Sequence, residues 1–290
     1  MHSPNQFEGA HAPLSANLEP GLYIVATPIG NLGDVTRRAA AVLAAASVIA
    51  AEDTRVTAKL LAHLGLKVPM QAYHDHSAEH VRPALIARAA HEVVALVSDA
   101  GTPLISDPGY KLVRDARAAG VRIVTLPGPC AAVAALTLAG LPTDRFLFAG
   151  FLPAKAAARA TAIAELAGVR ATLVLYESGP RLAEALAALA DGLGPRPAAI
   201  SREITKRFEE TLTGTLPELA AAIAEQPRKG EIVITIGPPL AAPVADEATL
   251  DAALQAALAT ATLKTAVAEV TAALGLPRAQ VYARALALKR

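Results

Sequence analysis

Residues 93–109 read VVALVSDAGTPLISDPG, and this stretch predicts the class of fold. The apolar run 93–97 is typical of a strand buried on both faces, as in a parallel sheet. The twelve residues 98–109 hold two Asp, two Gly and two Pro, which is more than a strand-to-helix connection requires. Because ligands of open parallel sheets bind outside the carboxyl ends of the strands, we expect this loop to bind a ligand. Leu104 and Ile105 would supply apolar walls.

The residues on either side repeat the pattern of apolar run and alanine-rich helix. Strands are predicted at 22–26, 47–51 and 122–126, and helices at 35–46, 54–64, 109–119 and 130–138. Asp34 is the expected N-cap of the first helix. Continuous apolar strands separated by helices indicate crossover connections and a mostly parallel sheet.

The second half of the chain has shorter and more mixed elements. Strands are predicted at 146–150, 172–176, 198–202 and 231–236, helices at 154–166 and 181–190, and a hairpin at 208–216. Prolines 238, 239 and 243 indicate a linker, after which helices are expected at 249–258, 263–274 and 278–288. The fold class is therefore α/β. We predict a disordered extension (1–20), an α/β domain (21–143), a second α+β domain (144–240) and a helical, helix-turn-helix-like region (241–290).

The composition is that of a globular protein. The chain has 290 residues, of which 53% are hydrophobic and 18% charged, and this balance excludes a disordered chain. The net charge of +1 neither requires nor excludes a nucleic-acid partner. The single cysteine, Cys130, excludes an intramolecular disulfide and a CxxC zinc site. With no signal peptide or bilayer-spanning run apparent, we expect a cytoplasmic protein without a membrane partner.

Two more loops follow predicted strands and precede helices. Residues 27–34 read TPIGNLGD, which is neither GxGxxG nor a phosphate loop, and residues 127–132 read PGPCAA. The small residues would let the backbone approach a ligand closely, although a plain strand-to-helix turn explains the first loop equally well. Cys130 is interpreted as a packing group rather than a nucleophile, because no His or basic residue lies beside it in the sequence.

Five segments together, 23–34, 51–55, 98–109, 127–131 and 176–178, resemble one branch of the tetrapyrrole methylase superfamily. The resemblance runs from about Gly21 to Gly237. It implies two α/β domains with S-adenosylmethionine in the cleft between them, and usually a homodimer. It also implies methyl transfer to the ribose 2′-oxygen of cytidine 1402 (standard numbering) in 16S rRNA of the small ribosomal subunit. Where the family commonly has Pro-His after Tyr-Glu-Ser, this chain has Gly179 and Pro180.

The resemblance and the loops together give a set of candidate cofactor-binding residues. They are Thr27, Pro28, Gly30, Asp99, Gly101, Thr102, Pro103, Ile105, Pro129, Cys130, Ala131 and Tyr176. No metal is expected, because the methyl group of a sulfonium is already activated.

A ribose hydroxyl is a poor nucleophile while protonated, so a base or a cation is expected near the acceptor oxygen. The catalytic candidates are Asp53, Arg55, His74 and Lys206. Asp53 directly precedes a predicted helix, so a capping role is as well supported by the sequence as a chemical one. His74 and His76 form an HxH pair, but no third metal ligand is identifiable.

The candidates for RNA binding are mostly basic side chains. They are Arg37, Arg38, Lys59, His76, Arg181 and Arg207, each of which could equally be a solvated surface charge. Residues 264–290 carry five Lys/Arg and one acidic residue, which would suit either phosphate contacts or a solvated C-terminal cap. Two other functions stay open at this point: a methylase of a small tetrapyrrole or corrin, and a non-catalytic RNA-binding assembly factor.

Overall fold

A computed structural model describes residues 18–74, 78–239 and 247–288. The described residues divide into two compact units, with the boundary after Pro238. The predicted disordered extension and His76 lie outside the described residues, except for residues 18–20. Tyr23 donates its hydroxyl hydrogen to the Glu19 carbonyl oxygen at 2.7 Å within that short described part.

The first sheet of the larger unit is parallel, as predicted, with the order β3-β2-β4-β1-β5. Its strands are β1 (Gly21–Val25), β2 (Val48–Ala51), β3 (Met70–Ala72), β4 (Val93–Val97) and β5 (Ile123–Leu126). Helices α1 (Arg37–Ala45) and α2 (Thr54–His63) pack on one face, and α3 (Ala78–Ala89) and α4 (Tyr110–Ala118) on the other. Covering both faces explains why these strands read as continuous apolar runs.

Two features of this sheet differ from the prediction or were missed. Asp34 is not the N-cap of α1: it ends a short 3₁₀ helix, Leu32–Asp34, and Thr36 caps α1 by accepting a hydrogen bond from the Ala39 amide at 3.0 Å. Strand β3 and helix α3 were not predicted. The strand is only three residues long, and in α3 the exposed Pro83, Ala84 and Ala87 obscure the helical spacing of the residues that pack on the sheet.

The second sheet is mixed, with the order β6-β7-β10-β8-β9. Its strands are β6 (Phe146–Phe151), β7 (Thr172–Ser178), β8 (Pro197–Arg202), β9 (Glu210–Thr215) and β10 (Glu231–Ile236). The predicted hairpin at 208–216 is wrong, because residues 210–215 form one strand that pairs antiparallel with β8. That stretch has no two-residue turn sequence such as Asn-Gly at its centre, which a tight hairpin would need.

Alternate side chains of the second sheet meet different helices. Leu173 and Leu175 face α6 (Ala156–Ala167), α7 (Gly179–Leu193) and α8 (Leu216–Glu225). Val174 and Val233 instead pack against α5 (Ala131–Ala139). Helix α5 directly follows the first sheet in sequence, so it joins the two sheets into one unit.

The smaller unit consists of α9 (Glu247–Thr260), α10 (Leu263–Leu274) and α11 (Arg278–Leu288). Leu254, Val267 and Val281 are buried in its own core. Arg284 of α11 donates two hydrogen bonds of 2.6 Å to Asp251 of α9. This ion pair neutralises part of the basic charge of the smaller unit. The domain boundaries proposed from the sequence stay predictions. No helix among the described residues is long and apolar enough to cross a membrane.

Leu175 is fully buried at the centre of the second sheet. We expect Leu175→Ala to lower the free energy of unfolding by about 2–5 kcal/mol, because truncation removes buried methyl groups and leaves a cavity. Urea denaturation measures the loss. Leu32→Ala, at a position that is 40% exposed, serves as the control and should change stability by less than about 1 kcal/mol. Equal effects of the two substitutions would contradict the assigned core.

Candidate active site

Three loops at the carboxyl ends of β1, β4 and β5 are held together by hydrogen bonds. Thr27 and Gly101 exchange backbone hydrogen bonds of 2.8 and 3.0 Å, which join the first loop to the second. The Thr102 hydroxyl donates to the Pro129 carbonyl oxygen at 3.0 Å, which joins the second to the third. Gly101 has a φ of +81°, a conformation that a residue with a Cβ adopts only with strain. The loops predicted to bind a ligand therefore form one edge.

A cavity of about 320 Å³ opens between this edge and the second sheet, a volume within the range of small-molecule sites. From the first half it is lined by Ile29, Ala100, Gly101, Thr102, Ile105, Ser106, Asp107, Cys130 and Ala131. From the second half it is lined by Phe151, Tyr176, Glu177, Ser178, Ile204, Gly230, Glu231, Ile232 and Val233. These described lining residues include three carboxylates and no Lys, Arg or His.

Half of the candidate cofactor residues contribute directly to this wall. They are Gly101, Thr102, Ile105, Cys130, Ala131 and Tyr176. Thr27 and Pro129 hold the loops together, and the Asp99 carboxylate accepts a hydrogen bond from the Asp53 amide at 2.9 Å. Pro28, Gly30 and Pro103 belong to the same loops but are not among the described lining residues.

Tyr176, at the end of β7, connects the second sheet to α5. Its hydroxyl oxygen accepts a hydrogen bond from the Ala132 amide at 3.1 Å. Its ring lies edge-on to Phe148 and Phe151, with centroid separations of 4.8 and 5.7 Å. Burial, followed by the neighbouring Cys130, raises the pKa of Tyr176 to about 12. The phenol therefore stays neutral and acts as a wall rather than as an acid.

Lys206 reaches from the loop after β8 to the first loop. A Cβ on Gly30 would lie 2.4 Å from the Lys206 Cγ, so only glycine leaves room for this side chain. The Lys206 ammonium contacts Glu231 at 2.8 Å and Glu203 at 3.2 Å. Burial alone would lower the pKa of Lys206, but the hydrogen bonds to these carboxylates outweigh it, and the pKa is raised. Lys206 is therefore a permanent cation at the rim, and not a neutral base.

Family models and a curated relative match most of the chain. A family model described as Tetrapyrrole (Corrin/Porphyrin) Methylases matches residues 21–220, and one described as RsmI C-terminal HTH domain matches residues 244–289. Ribosomal RNA small subunit methyltransferase I of Mesorhizobium japonicum is 51% identical over 277 residues, covering 94% of this chain and 93% of that protein. The chain belongs to the ribosomal RNA small subunit methyltransferase I family.

Further relatives agree with this assignment. The protein of the same name from Erythrobacter litoralis is 52% identical over 273 residues, covering 94% of this chain and 96% of that protein. A solved uroporphyrin-III C-methyltransferase from Thermus thermophilus, complexed with S-adenyl homocysteine, has a TM-score of 0.51 and 23% identity. That likeness covers 74% of this chain and 96% of the solved one, and it shows the shared fold. The chain is an S-adenosylmethionine-dependent methyltransferase of the predicted two-sheet fold.

Asp53 and Arg55 of this methyltransferase lie outside the described cavity wall. Asp53 caps α2 by accepting from the Arg55 amide at 2.8 Å, and its carboxylate contacts the Arg55 guanidinium at 2.6 Å. Hydrogen bonds from Arg55 lower the pKa of Asp53 to about 2, which makes it a weak base. His74 follows β3 at the same edge of the sheet and does not contribute to the described wall.

Most of the basic candidates are exposed, but one is bonded to other residues of the protein. Arg37 and Arg38 at the start of α1, Lys59 on α2 and Arg207 beside Phe208 are exposed. Arg181 is different. It lies 3.3 Å from the Glu177 carboxylate, whose side chain is only 1% exposed, and it donates to the Leu152 carbonyl oxygen at 2.5 Å.

Sequence reasoning missed several lining residues, above all Asp107, Glu177 and Glu231. Asp107 and Glu177 lie within quoted motifs, but a loop pattern does not say which of its carboxylates faces inward. Glu231 opens β10 without any motif around it. Burial, followed by the charge of Asp99, raises the pKa of Asp107, although a hydrogen bond from Ser98 opposes the shift.

Arg181→Met tests whether Arg181 serves the fold. Removing the guanidinium leaves the buried Glu177 carboxylate without its ion-pair partner, so we expect the free energy of unfolding to fall by about 3–5 kcal/mol. Arg181→Lys should recover part of this loss. Arg207→Met, at an exposed position, should cost less than about 1 kcal/mol in the same urea titration. An Arg181→Met variant as stable as Arg207→Met would contradict the structural role of Arg181.

Proposed function

We propose that this chain transfers the methyl group of S-adenosylmethionine to the ribose 2′-oxygen of a cytidine, position 1402, in 16S rRNA of the small ribosomal subunit. The observation that carries the proposal is the cavity at the carboxyl ends of parallel strands, in a chain whose relatives are named ribosomal RNA small subunit methyltransferase I. A cytoplasmic location follows from that substrate.

The charge of the cavity favours a cationic donor. S-adenosylmethionine carries a positive sulfonium, a positive ammonium and one carboxylate, so its net charge is positive, and the described wall contains Asp107, Glu177 and Glu231. Glu177 and Glu231 also contact Arg181 and Lys206, which are not among the described lining residues. Ile29, Ile105 and Val233 provide the apolar surface that an adenine ring needs.

The roles of the donor-site residues follow from their places. Six candidates in the wall, Gly101, Thr102, Ile105, Cys130, Ala131 and Tyr176, contact the donor. Six others, Thr27, Pro28, Gly30, Asp99, Pro103 and Pro129, belong to the three loops and fix their shape. The first six residues therefore bind the donor, and the other six position the loops that bind it.

S-adenosylmethionine, when bound, supplies an activated methyl group, so the residues of this chain have to align the acceptor oxygen and exclude water. Orientation of this kind is worth on the order of 7–11 kcal/mol. The Lys206 ammonium lies at the rim, where it would stabilise the negative charge that develops on the acceptor oxygen. We assign Asp53, Arg55 and His74, at the same edge of the first sheet, to the RNA side of the reaction.

RNA binding and dimerisation would use different surfaces. Arg37 and Arg38 begin α1 at the sheet edge that carries the loops, and Lys59 and Arg207 are also exposed, so all four are available for phosphates. Val133 and Leu138 on α5, and Phe146 and Leu147 on β6, are 38–51% exposed apolar side chains. A second copy of the chain covers such a surface in the homodimer that we propose.

Tritium transfer from labelled S-adenosylmethionine tests the reaction, with assembled small subunits, free 16S rRNA and a corrinoid precursor as acceptors. We expect label in RNA only, at one ribose, located by nuclease mapping. Label on a base, or on the corrinoid alone, would refute the proposal. Absence of label from every RNA, with the donor bound, would favour the non-catalytic assembly factor.

Thr102→Arg tests the donor site without any acceptor. The arginine side chain is larger than threonine and positively charged, so it would occupy the cavity beside the Pro129 carbonyl and repel the cationic donor. The affinity for S-adenosylmethionine should therefore fall at least about tenfold, or ~1.4 kcal/mol. Thr102→Ser keeps the hydroxyl and should bind within about threefold of the parent. Isothermal titration measures both. Unchanged affinity in Thr102→Arg would place the donor elsewhere.

Phosphate contacts by Arg37 should be visible in the salt dependence of RNA binding. Each phosphate contact contributes about 0.7–0.9 to the slope of log K against log salt. We expect Arg37→Gln to reduce the slope by about that amount in a filter-binding titration. Arg117→Gln changes an exposed arginine in the last turn of α4, away from the loop edge, and should leave the slope unchanged. Equal slopes for the two variants would remove Arg37 from the interface.

A further inference from the structure

A second pocket, of about 190 Å³, lies beside the donor cavity at the N-terminal ends of α3 and α4. Its walls include Tyr73, Glu79, Arg82, Tyr110 and Lys111. Asp107 lines this pocket and the donor cavity as well. A carboxylate shared by two neighbouring cavities is the place where groups bound in each would meet.

The side chains of this smaller pocket suit a nucleotide. The Tyr110 ring is 67% exposed and so is open to stacking by a base. Lys111 is a cation at the same pocket. The Arg82 Nε lies 2.8 Å from the Asp115 carboxylate, but its Nη1 is buried and has no hydrogen-bond partner among the described residues. A buried donor without a partner favours a ligand that brings an acceptor atom, such as a phosphate or carbonyl oxygen.

Resting on the function proposed above, we propose that this pocket holds the acceptor nucleotide and that the Asp107 carboxylate takes the proton of its 2′-hydroxyl. Nothing in the motifs distinguished Asp107 from Asp99, which instead bonds to the Asp53 amide.

The step balances without a further reactant. The 2′-O–H bond breaks and its proton moves to the Asp107 carboxylate, while an electron pair of the oxygen forms the new O–CH₃ bond. The C–S bond of the sulfonium breaks, and its electron pair stays on sulfur as a neutral thioether. Asp107, now a neutral acid, returns the proton to water.

Asp107 is a better base than the other aspartate considered. A general base works best when its pKa approaches the working pH. Burial raises the pKa of Asp107, whereas Arg55 lowers the pKa of Asp53 to about 2. Titratable and polar groups surround Asp107 in both cavities. On the donor side they are Ser98, Asp99, Cys130, Tyr176, Glu177 and Glu231. In the smaller pocket they are Tyr73, Glu79, Arg82, Tyr110 and Lys111.

Asp107→Asn tests the proton transfer on the full chain with its RNA substrate. We expect kcat, measured at saturating donor, to fall by roughly 10²–10⁴-fold. Because the substitution also removes one carboxylate of the donor cavity, the donor affinity should fall as well, but by no more than about tenfold. The parent kcat should decrease about tenfold per pH unit below the pKa of Asp107, and the variant should lack this limb. Asp191→Asn, at an exposed position on α7, is the matched control and should behave as the parent. A variant with the parent rate and pH profile would overturn the role of Asp107.

Tyr110 tests the pocket by binding alone. Tyr110→Ala should weaken the affinity for a short RNA containing the target cytidine by roughly 5–150-fold, the effect of losing one base–aromatic stack. Tyr110→Phe keeps the ring and should bind within about twofold of the parent. Fluorescence anisotropy measures both, with donor affinity as a second readout that should not change. Equal RNA affinity for the Ala and Phe variants would exclude this pocket as the nucleotide site.

The outcomes separate this inference from the function on which it rests. If the parent labels no RNA, the proposed function fails whatever the variants do. If the parent labels a ribose and the Asp107→Asn variant labels it equally well, only the inference fails. If Asp107→Asn does not fold, as judged by circular dichroism, the Tyr110 pair decides, because Tyr110 is exposed and its truncation leaves the core intact.

Discussion

The packing of α5 on the second sheet is the contact on which the site depends. This helix leaves the first sheet directly after Cys130, yet its buried residues pack against Val174 and Val233 of the other sheet. The hydrogen bond between the Tyr176 hydroxyl and the Ala132 amide fixes the first turn of the helix to β7. Since the third loop ends where α5 begins, its position relative to the second sheet is set by the same contact. The two walls of the cavity are therefore held at a fixed separation by core packing.

The cavity wall carries negative charge, and the residues around the cavity carry positive charge. The described lining carries carboxylates, whereas Lys206, Arg181, Arg37 and Arg207 lie behind it, at its rim or on the surface. A cationic donor and a polyanionic acceptor need opposite fields, and this arrangement presents each field to the partner that it attracts. Lys206 contacts Glu231 of the wall, so the boundary between the two fields runs through that ion pair.

The sequence predicts the parallel sheet and its three loops because each strand there is a continuous apolar run that ends in Gly and Pro. Short β3 gave no such run, and the single strand 210–215 was mistaken for a hairpin because its small polar residues resemble turn residues. Half of the cavity wall comes from β6, β7, β10 and the loop after β8, which meet the first sheet only in three dimensions. No local pattern marks Ile204 or Glu231, so their place in the site required the tertiary structure.

Backbone strain supports the view that the two loops facing the cavity are held in one shape. Among described residues other than glycine, a positive φ occurs at Leu104, Ser106, Glu203 and Thr205. Each such conformation costs about 1–3 kcal/mol and persists only where its surroundings over-determine it. Here Leu104 of the first pair packs against the core of the first sheet, and the Glu203 contacts to Lys206 and to the Glu231 amide hold the second pair. Strain placed on both sides of one cavity, and at no other described position, is expected where binding energy depends on preorganised walls rather than on loops that close around the ligand.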